Sequence, residues 1–294
     1  MKSSRLLRLG LLLSATGLLT SCNSTPNAQS QPSQATVESQ FGEDFSDNGQ
    51  PAKRYLLQAI LKQIKGNLDG AIDDYTRAIE IDPNYRDAYI NRARVRNTKG
   101  DFDGSIADYT KVIELKPDYV DAYIGLAAAY FNRGTAKNVK GDYDGAIADY
   151  DKASALNPSY AKTYNRRGYA KCEKGDFDGA IADYTKTIKL DPNFFTAYNG
   201  LAWILATCPE DNIRNGQQAV EYATKACDLT QWKNTNCLDT LAAADAETGK
   251  FDDAVKWESK YLESGLAKDD ADQARQRLSL YEQKKPYHEA KKPH

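Results

Sequence analysis

The sequence predicts an all-α fold, a solenoid of repeated helix pairs, on the strength of three observations. The phrase GDFDGAIADYTK that begins at Gly175 differs in one of its twelve letters from GDFDGSIADYTK, which begins at Gly100. The glycine that opens each copy recurs after 34 residues, from Gly66 to Gly100 and from Gly141 to Gly175. Within each copy, apolar residues recur every three to four positions, which is the spacing of an amphipathic helix. Self-similarity at a constant period indicates a repeat architecture, in which each unit buries its apolar face against its neighbours.

Each period is predicted to contain two helices joined by a tight turn. In the copy from Arg86 to Tyr119, Gly100 stands where the end of a helix favours a left-handed residue. Asp101 follows where the next helix needs a side chain that accepts hydrogen bonds from its unpaired amides. Pro117 ends the second helix, because proline has no N–H and biases the residue before it away from helical geometry.

The one longer spacing, 41 residues between the second and third glycines, also favours helices. It equals one period plus seven residues, and the extra residues are VDAYIGL at Val120–Leu126. Seven residues advance an α-helix by nearly two turns, with about 20° of drift. The insertion is therefore predicted to lengthen a helix while its buried stripe stays aligned.

The second helices also carry a repeated small residue, a repeated tyrosine and repeated carboxylates. The small residue stands five positions after the glycine and the tyrosine follows one turn later, so we interpret both as core positions where small side chains face large ones. Carboxylates such as Asp73 and Asp74 are interpreted as residues that begin a helix and complement its dipole. The small residues and the tyrosines are Ala71, Ser105, Ala146, Ala180, Tyr75, Tyr109, Tyr150 and Tyr184.

The order of these residues resembles the tetratricopeptide-repeat (TPR) family. That family places a bulky and a small residue on the first helix, glycine at the turn, two aromatics flanking a small residue on the second helix, and proline after it. The resemblance implies a right-handed superhelical solenoid of TPR helix pairs with a C-terminal capping helix, because the last pair would otherwise leave its apolar face in water. In the second copy the pattern is filled by Tyr89, Ala93, Gly100, Phe102, Ser105, Tyr109 and Pro117.

The predicted domain organisation follows from where the copies begin and end. Four clear copies extend from Ala52 to about Phe194 and two weaker ones follow, so about six helix pairs are expected over residues 52–268. Residues 269–294 are expected to form the capping helix and a polar tail. Residues 22–50, rich in Ser, Gln, Asn, Thr and Pro, cannot bury enough apolar surface to fold and are predicted to be a disordered tether.

Residues 1–21 resemble a bacterial lipoprotein signal peptide. Lys2, Arg5 and Arg8 precede an apolar run that is too short to span a bilayer, and the letters LTSC that end at Cys22 resemble the lipobox. The resemblance implies lipid attachment at Cys22 and stable membrane anchoring, which more than one acyl chain provides. Asn23 stands where the family's inner-membrane retention signal usually has Asp, so the outer membrane of a bacterial envelope is expected. The alternative is an ordinary signal peptide with an incidental cysteine.

Composition and charge disfavour nucleic-acid binding and catalysis. The chain has 39 basic and 41 acidic residues, whereas phosphate binding needs a concentrated basic face. The two histidines, His288 and His294, lie in the polar tail, so no positioned imidazole is expected for Ser–His or Cys–His catalysis. Clustered His and Cys ligands for zinc are absent from the sequence as well. We expect no metal, no cofactor and no catalysis.

The four cysteines beyond Cys22 leave two alternatives open. An exported chain meets oxidising conditions, and a solenoid brings the end of one second helix near the start of the next first helix. Cys227 and Cys237 stand at such ends and are the first pair we expect to form a disulfide. The alternative is that Cys172, Cys208 and this pair are buried free thiols, because Cys packs as a small apolar residue.

The resemblance also implies which surface binds a partner, because in the TPR family the first helix of each pair lines a concave groove. Asparagine with arginine suits an extended peptide backbone or a carboxylate, and an exposed tyrosine or tryptophan suits an anchor. The alternatives are that the asparagines are merely tolerated polar residues and that Trp203 packs under the long turn at Cys208. The predicted groove residues are Asn91, Arg94, Asn132, Asn165, Arg166, Tyr169, Asn199 and Trp203.

The sequence therefore predicts an envelope-anchored scaffold that binds a peptide or a partner protein in its groove. Two alternatives remain. The first copy offers Leu56, Leu57, Ile60 and Ile64 on the same face, which would be exposed unless covered, so a self-assembling structural lipoprotein is one alternative. The other is an enzyme with an unrecognised acid/base pair in the groove, which carboxylates of displaced pKa would reveal.

Overall fold

The computed structural model describes residues 50–290, which form thirteen α-helices and no strand. The expected signal peptide, the lipid site at Cys22 and nearly all of the expected tether lie outside the described residues. The helices are α1 (Pro51–Ile64), α2 (Leu68–Ile81), α3 (Arg86–Lys99), α4 (Phe102–Leu115), α5 (Val120–Val139), α6 (Tyr143–Leu156), α7 (Ala161–Glu173), α8 (Phe177–Leu190), α9 (Phe195–Thr207), α10 (Gly216–Leu229), α11 (Thr235–Glu247), α12 (Phe251–Leu262) and α13 (Lys268–Glu282).

These helices pack as consecutive pairs. Helices α1 to α12 form six pairs, each pair contacts the next along the chain, and α13 packs against α12. First helices of neighbouring pairs also contact one another, most extensively α9 and α11. The predicted all-α solenoid of helix pairs with a C-terminal helix is confirmed. We call the surface formed by the odd-numbered helices, α1 to α13, the first-helix face.

The turns within the pairs have the predicted geometry. Gly100 is left-handed, with φ of 84°, and Asp101 N–H donates to the Arg96 carbonyl at 2.9 Å. The Asp101 carboxylate accepts the Gly104 N–H at 3.0 Å and so caps α4. The same side-chain cap recurs at Asn67, Asp142 and Asp176.

The seven extra residues lengthen α5. It is 20 residues long, whereas α3 has 14. Ala122 and Leu126 within the insertion are buried, while Val120 and Ile124 are 66% and 49% exposed. The insertion thus extends the helix in phase, with one buried and one exposed side.

The repeated tyrosines fill the space between one pair and the next. A Cβ atom added to Gly125 of α5 would lie 2.3 Å from the ring of Tyr109, and one added to Gly200 of α9 would lie 2.6 Å from the ring of Tyr184. Both rings are buried. Tyr109 and Tyr184 therefore each occupy space that a side chain at this glycine of the following first helix would need.

In three successive helix pairs, a buried ion pair joins the first helix to the second helix of the same pair. Arg92 Nε and Nη2 donate to the two carboxylate oxygens of Asp108 at 3.0 and 2.7 Å, and Arg96 Nη1 donates to the same carboxylate at 2.8 Å. The Asp108 side chain is 3% exposed, so these charge-assisted bonds offset the cost of removing it from water. The arrangement recurs in the next two pairs, as Arg133 and Lys137 with Asp149, and as Arg167 and Lys171 with Asp183.

The structure corrects the interpretation that Asp73 and Asp74 begin a helix and complement its dipole. Asn67 caps α2, which begins at Leu68, so Asp74 lies in the second turn rather than at the start. The Asp74 side chain is 1% exposed and lies 2.6 Å from Lys62 Nζ of α1, whereas Asp73 is exposed. Asp74 therefore links the two helices of its pair, and its partners are Lys62 and, at 3.4 Å, Arg77 of its own helix rather than the helix dipole.

The last helix is fixed by a buried charged centre. Arg277 of α13 is buried, with Nη2 2.7 Å from Asp239 of α11 and Nε 3.1 Å from Glu258 of α12. Burial raises the pKa of Glu258 to about 9, the charge of Asp239 adds to the rise, and Arg277 opposes it. Burial likewise raises the pKa of Asp239. Tyr281 beside this centre is fully buried, so α13 covers the end of the last pair.

Candidate functional site

The eight residues predicted to line the groove all lie on first helices, in α3, α5, α7 and α9. Neighbouring first helices are bridged by two of them. Asn132 Nδ2 of α5 donates to Asn97 Oδ1 of α3 at 3.1 Å, and Asn165 Oδ1 of α7 accepts from Thr196 Oγ1 of α9 at 3.3 Å. These bonds link α3 to α5 and α7 to α9, and they use part of the hydrogen-bonding capacity of the predicted residues within the chain.

On α3, the two predicted residues are engaged by their own surroundings. Asn91 Nδ2 donates to the Asp87 carbonyl of the same helix at 2.9 Å. Arg94 hydrogen-bonds the Tyr109 side chain, and its positive charge opposes the rise in the pKa of Tyr109 that burial causes. Both side chains remain partly exposed. They can contact a ligand from the rim of the surface, while they also support the packing beneath it.

Between α3 and α5, the face has a cleft of about 500 Å³. Asn97 and Asn132 form its amide-bearing wall, and Phe102, Ala136 and Val139 contribute apolar surface. Val139, at the end of the lengthened α5, is 83% exposed. The cleft combines apolar area with amide groups that both donate and accept hydrogen bonds.

The most accessible predicted residues lie on α7. Arg166 is exposed and Tyr169 is 44% exposed, which is unusual for so large an aromatic side chain in this chain. Partial burial raises the pKa of the Tyr169 hydroxyl, and the nearby Glu173 carboxylate adds to the rise. The hydroxyl is therefore a protonated hydrogen-bond donor at neutral pH, beside a cationic guanidinium.

Trp203 on α9 is not open to solvent as an anchor, because the C-terminal segment of the chain covers it. Its Nε1 donates to Glu289 Oε1 at 2.8 Å, and its ring lies 6.2 Å from that of Tyr287. The Arg277 guanidinium lies 5.7 Å above the same ring. The covering element is neither an external ligand nor the turn at Cys208. On the same helix, Asn199 Oδ1 is buried and has no hydrogen-bond partner among residues 50–290.

The apolar first copy is mostly buried, in contrast to the exposure that would favour self-assembly. Leu56, Leu57 and Ile60 are 3%, 2% and 8% exposed, and Ile64 alone is substantially exposed, at 42%. One exposed isoleucine is a small contact area for association between copies.

The cysteines of the expected pair lie together. Cys227 and Cys237 are buried free thiols in the structure, at the end of α10 and the start of α11. Their side chains hydrogen-bond each other, which raises the pKa of Cys227 and lowers that of Cys237. Cys172 and Cys208 are also free thiols. The disulfide between Cys227 and Cys237 stays a prediction.

The described part of the chain has neither a metal-binding group of side chains nor a membrane-spanning helix. Among residues 50–290, no group of three or more His, Cys, Asp or Glu side chains is arranged to hold a metal ion. No helix in the same range is long and apolar enough to cross a membrane.

Comparison with known proteins identifies the repeats. The TPR repeat family model matches residues 64–96, 93–134, 136–171 and 168–206. Among solved structures, the chain is similar to MamA, at 27% identity over 63% of this chain and 94% of that one, with a TM-score of 0.47. It is similar to YrrB, described as a TPR protein with an unusual peptide-binding site, at 21% identity over 67% of this chain and 95% of that one, with a TM-score of 0.48.

PilW, described as a widely conserved type IV pilus biogenesis factor, is similar at 16% identity over 77% of this chain and 99% of that one, with a TM-score of 0.47. No curated protein matches the sequence. The family match and the stacked helix pairs agree with each other: the chain contains TPR repeats from residue 64 to residue 206 and has the all-α superhelical TPR fold.

Proposed function

We propose that this chain is an envelope-anchored scaffold that holds another protein by an extended peptide on the first-helix face, without catalysing a reaction. The observation that carries the proposal is the exposed pair Arg166 and Tyr169 on α7. A tyrosine and an arginine that share one accessible patch are the residue types that most often dominate protein interfaces. The amide-lined cleft between α3 and α5 lies on the same face and extends the candidate surface.

The chemistry of this face suits an extended peptide. Such a peptide has backbone N–H and C=O groups that need partners, and an asparagine side chain offers both a donor and an acceptor. Arg166 can pair with a carboxylate of the peptide, and the flat ring of Tyr169 can pack against an apolar side chain. The apolar side chains of Phe102 and Val139 beside the cleft provide further area to bury.

Catalysis is not part of the proposal, because the carboxylates with raised pKa values do not line the candidate surface. Glu258 is fully buried, and Asp239 beside it is enclosed between α11, α12 and α13. Asp245, whose pKa burial raises to about 6, is also buried. A general acid or base must reach its substrate within hydrogen-bonding distance, and these three groups contact other side chains of the chain instead.

The proposed anchor is a lipid on Cys22. Support comes from the sequence alone, in the basic start, the short apolar run and the LTSC letters. Metabolic labelling with a palmitate analogue is expected to mark the wild-type chain in the outer-membrane fraction, and Cys22→Ser is expected to lose the label. Cys172→Ser, a matched cysteine variant, should keep it. A wild-type chain without the label would favour an ordinary signal peptide, and a label that survives Cys22→Ser would place the acylation at another residue.

The binding proposal is tested by quantitative capture from envelope extracts. The captured protein is identified with the wild-type chain, and its affinity is then measured for Arg166→Ala/Tyr169→Ala. Loss of an interface anchor typically costs 2 kcal/mol or more, so we expect the dissociation constant to rise by about 30-fold or more. Lys189→Ala, at an exposed position of the second helix α8, should leave the affinity unchanged. Equal affinities for the two variants would refute the assignment of the binding surface.

A further inference from the structure

The chain reverses direction after α13 and returns over the first-helix face. Lys284 adopts a left-handed conformation, with φ of 56°, and its N–H donates to the Tyr281 carbonyl at 2.9 Å. Lys285 N–H donates to the Leu280 carbonyl at 2.9 Å, which completes a Schellman-type helix end. A left-handed lysine costs about 1–2 kcal/mol. The reversal is therefore held by the contacts that follow it.

Three consecutive residues after the reversal each make a specific contact. The Tyr287 ring lies 6.2 Å from that of Trp203 and 5.8 Å from the Arg277 guanidinium. His288 Nε2 lies 2.7 Å from Glu247 Oε2 of α11. Glu289 accepts from Trp203 Nε1 with its carboxylate, at 2.8 Å. The aromatic group thus contacts α9 and α13, the imidazole contacts α11, and the acidic group contacts α9.

The backbone of the segment is also bound. Glu289 N–H donates to the Thr207 carbonyl at 2.8 Å. Thr207 is the last residue of α9, and a helix leaves its final carbonyls without partners inside the helix. A backbone hydrogen bond does not depend on which side chain the ligand carries. The site therefore binds a backbone N–H of the segment, and the neighbouring side chains set which sequence fits.

We propose that the surface formed by Trp203, Thr207, Glu247 and Arg277 is a binding site for peptides in which an aromatic residue stands two positions before an acidic one. The chain's own residues 287–289 are its built-in occupant. The proposal rests on the proposed function in one respect, that the first-helix face binds peptides, but it uses residues other than those on α7. The ligand's aromatic ring lies beside both the indole and the guanidinium, and its carboxylate accepts from the indole N–H.

The built-in occupant controls access to this site. A short connection holds a segment near its site at an effective concentration on the order of millimolar, so an external peptide must compete with that concentration. Releasing the segment removes the competitor. We therefore expect an external peptide to bind at least about tenfold more tightly to a chain whose own segment cannot dock.

The test uses the full chain and a fluorescein-labelled peptide of the sequence KKPYHEAKKP, which corresponds to residues 284–293. Anisotropy titrations compare the wild type with Tyr287→Ala/Glu289→Ala, in which the docked side chains are removed. We expect tight binding to the double variant only. A peptide with alanine in place of its tyrosine should not bind, and Lys285→Ala, which changes an exposed residue of the connection, should behave as the wild type. Equal affinity of the peptide for the wild type and the double variant would overturn the proposal.

Tryptic cleavage after Lys284 provides a second measurement that does not depend on the external peptide. We expect faster cleavage in Tyr287→Ala/Glu289→Ala than in the wild type, because the docked segment protects the site. If cleavage accelerates but the peptide does not bind, the segment is a fixed strap and the binding site is refuted. Light scattering gives a further check. If the wild type is a dimer and the double variant is a monomer, the segment docks on a second copy, and its assignment as a built-in occupant is overturned.

The outcome separates this inference from the proposed function. Arg166→Ala/Tyr169→Ala removes the exposed pair on α7 and should leave the affinity of the labelled peptide for the tail-released chain unchanged. If the labelled peptide does not bind the tail-released chain, this inference is refuted. The capture experiment with the α7 variants still tests the proposed function independently. Loss of peptide binding in the α7 variants would instead refute the separation of the two surfaces.

Discussion

Replacing Arg92 with methionine is expected to lower the free energy of unfolding by about 2–4 kcal/mol. The guanidinium supplies two of the three hydrogen bonds by which arginines hold the Asp108 carboxylate, at 3.0 and 2.7 Å. Its Nη1 also donates to Thr76 Oγ1 of the preceding pair at 3.0 Å. Methionine keeps an unbranched apolar stem, so the loss reports the ion pair rather than a large cavity.

The magnitude follows from what remains after the substitution. Removing one partner of a buried pair costs about 3–5 kcal/mol when the other charge is left uncompensated. Asp108 keeps one bond from Arg96, at 2.8 Å, and Arg96 is 22% exposed, so part of the compensation survives. The lost bond to Thr76 adds about 1 kcal/mol. The expected total therefore falls somewhat below the cost for an isolated buried pair.

The assay is urea unfolding followed by far-ultraviolet circular dichroism. Lys111→Met is the matched control on α4, because Lys111 pairs with Glu114 in an exposed ion pair, with side chains 41% and 60% exposed. Exposed pairs contribute about 0–1 kcal/mol, so this control should unfold nearly as the wild type does. Arg92→Met/Asp108→Leu should recover part of the loss, since no unpaired charge remains buried. Equal unfolding midpoints for Arg92→Met and Lys111→Met would refute the reasoning.

Three further predictions concern packing, oxidation and pH. Gly125→Ala is expected to destabilise the chain by about 1–3 kcal/mol in thermal unfolding, because the new Cβ meets the Tyr109 ring and outweighs the better helix propensity of alanine; an unchanged melting temperature would contradict this. If Cys227 and Cys237 form a disulfide, a reductant should lower the free energy of unfolding by about 3 kcal/mol, and alkylation of both thiols in oxidised, unreduced protein would show that no disulfide forms. Stability should fall as pH rises from about 5 to 9, because folded Glu258 keeps a proton that the unfolded chain releases above its ordinary pKa of 4.5. Glu258→Gln should flatten this dependence in urea midpoints, and an unchanged slope would be evidence against the raised pKa.

The helices and turns were predictable because the conformation at each repeated residue depends on its immediate neighbours in the sequence. Gly100 and Asp101 have their predicted conformations because left-handed geometry and helix capping depend only on nearby backbone. The lengthening of α5 followed from the period of a helix, since seven residues preserve the direction of the buried side. Local chemistry and periodicity were sufficient for these elements.

The buried ion pairs could not be assigned so directly, because their partners stand on different helices. Asp108 and Arg92 are sixteen residues apart, and the same separation joins Arg133 to Asp149. A recurrent Arg sixteen residues before the Asp of each ADY phrase was the available signal. Composition alone gave no reason to place a charged side chain in the core, because an unpaired buried charge is strongly unfavourable.

The candidate site was predictable in its location but not in its occupancy. Helical periodicity places Tyr169 and Trp203 on first helices, and the structure gives them different surroundings: Tyr169 is 44% exposed and Trp203 is covered by Tyr287 and Glu289. The covering contact joins residues 86 positions apart in the sequence. Neither periodicity nor composition encodes such a contact, because it depends on where the left-handed turn at Lys284 directs the chain.

The contrast between the two helices of each pair supports recognition on the first-helix face. Several positions of the repeated phrase in the second helix have a structural constraint: the cap, the turn glycine, the buried carboxylate and the buried tyrosine. In the first helices, the buried positions recur from copy to copy. The position nine residues before the turn glycine varies, and it is occupied by Asn91, Asn132 and Arg166 in successive copies. Exposed and partly exposed positions such as these can vary with little loss of stability. The recurring residues of the second helices therefore hold the stack together, while the varied residues of the first helices suit the peptide binding that we propose.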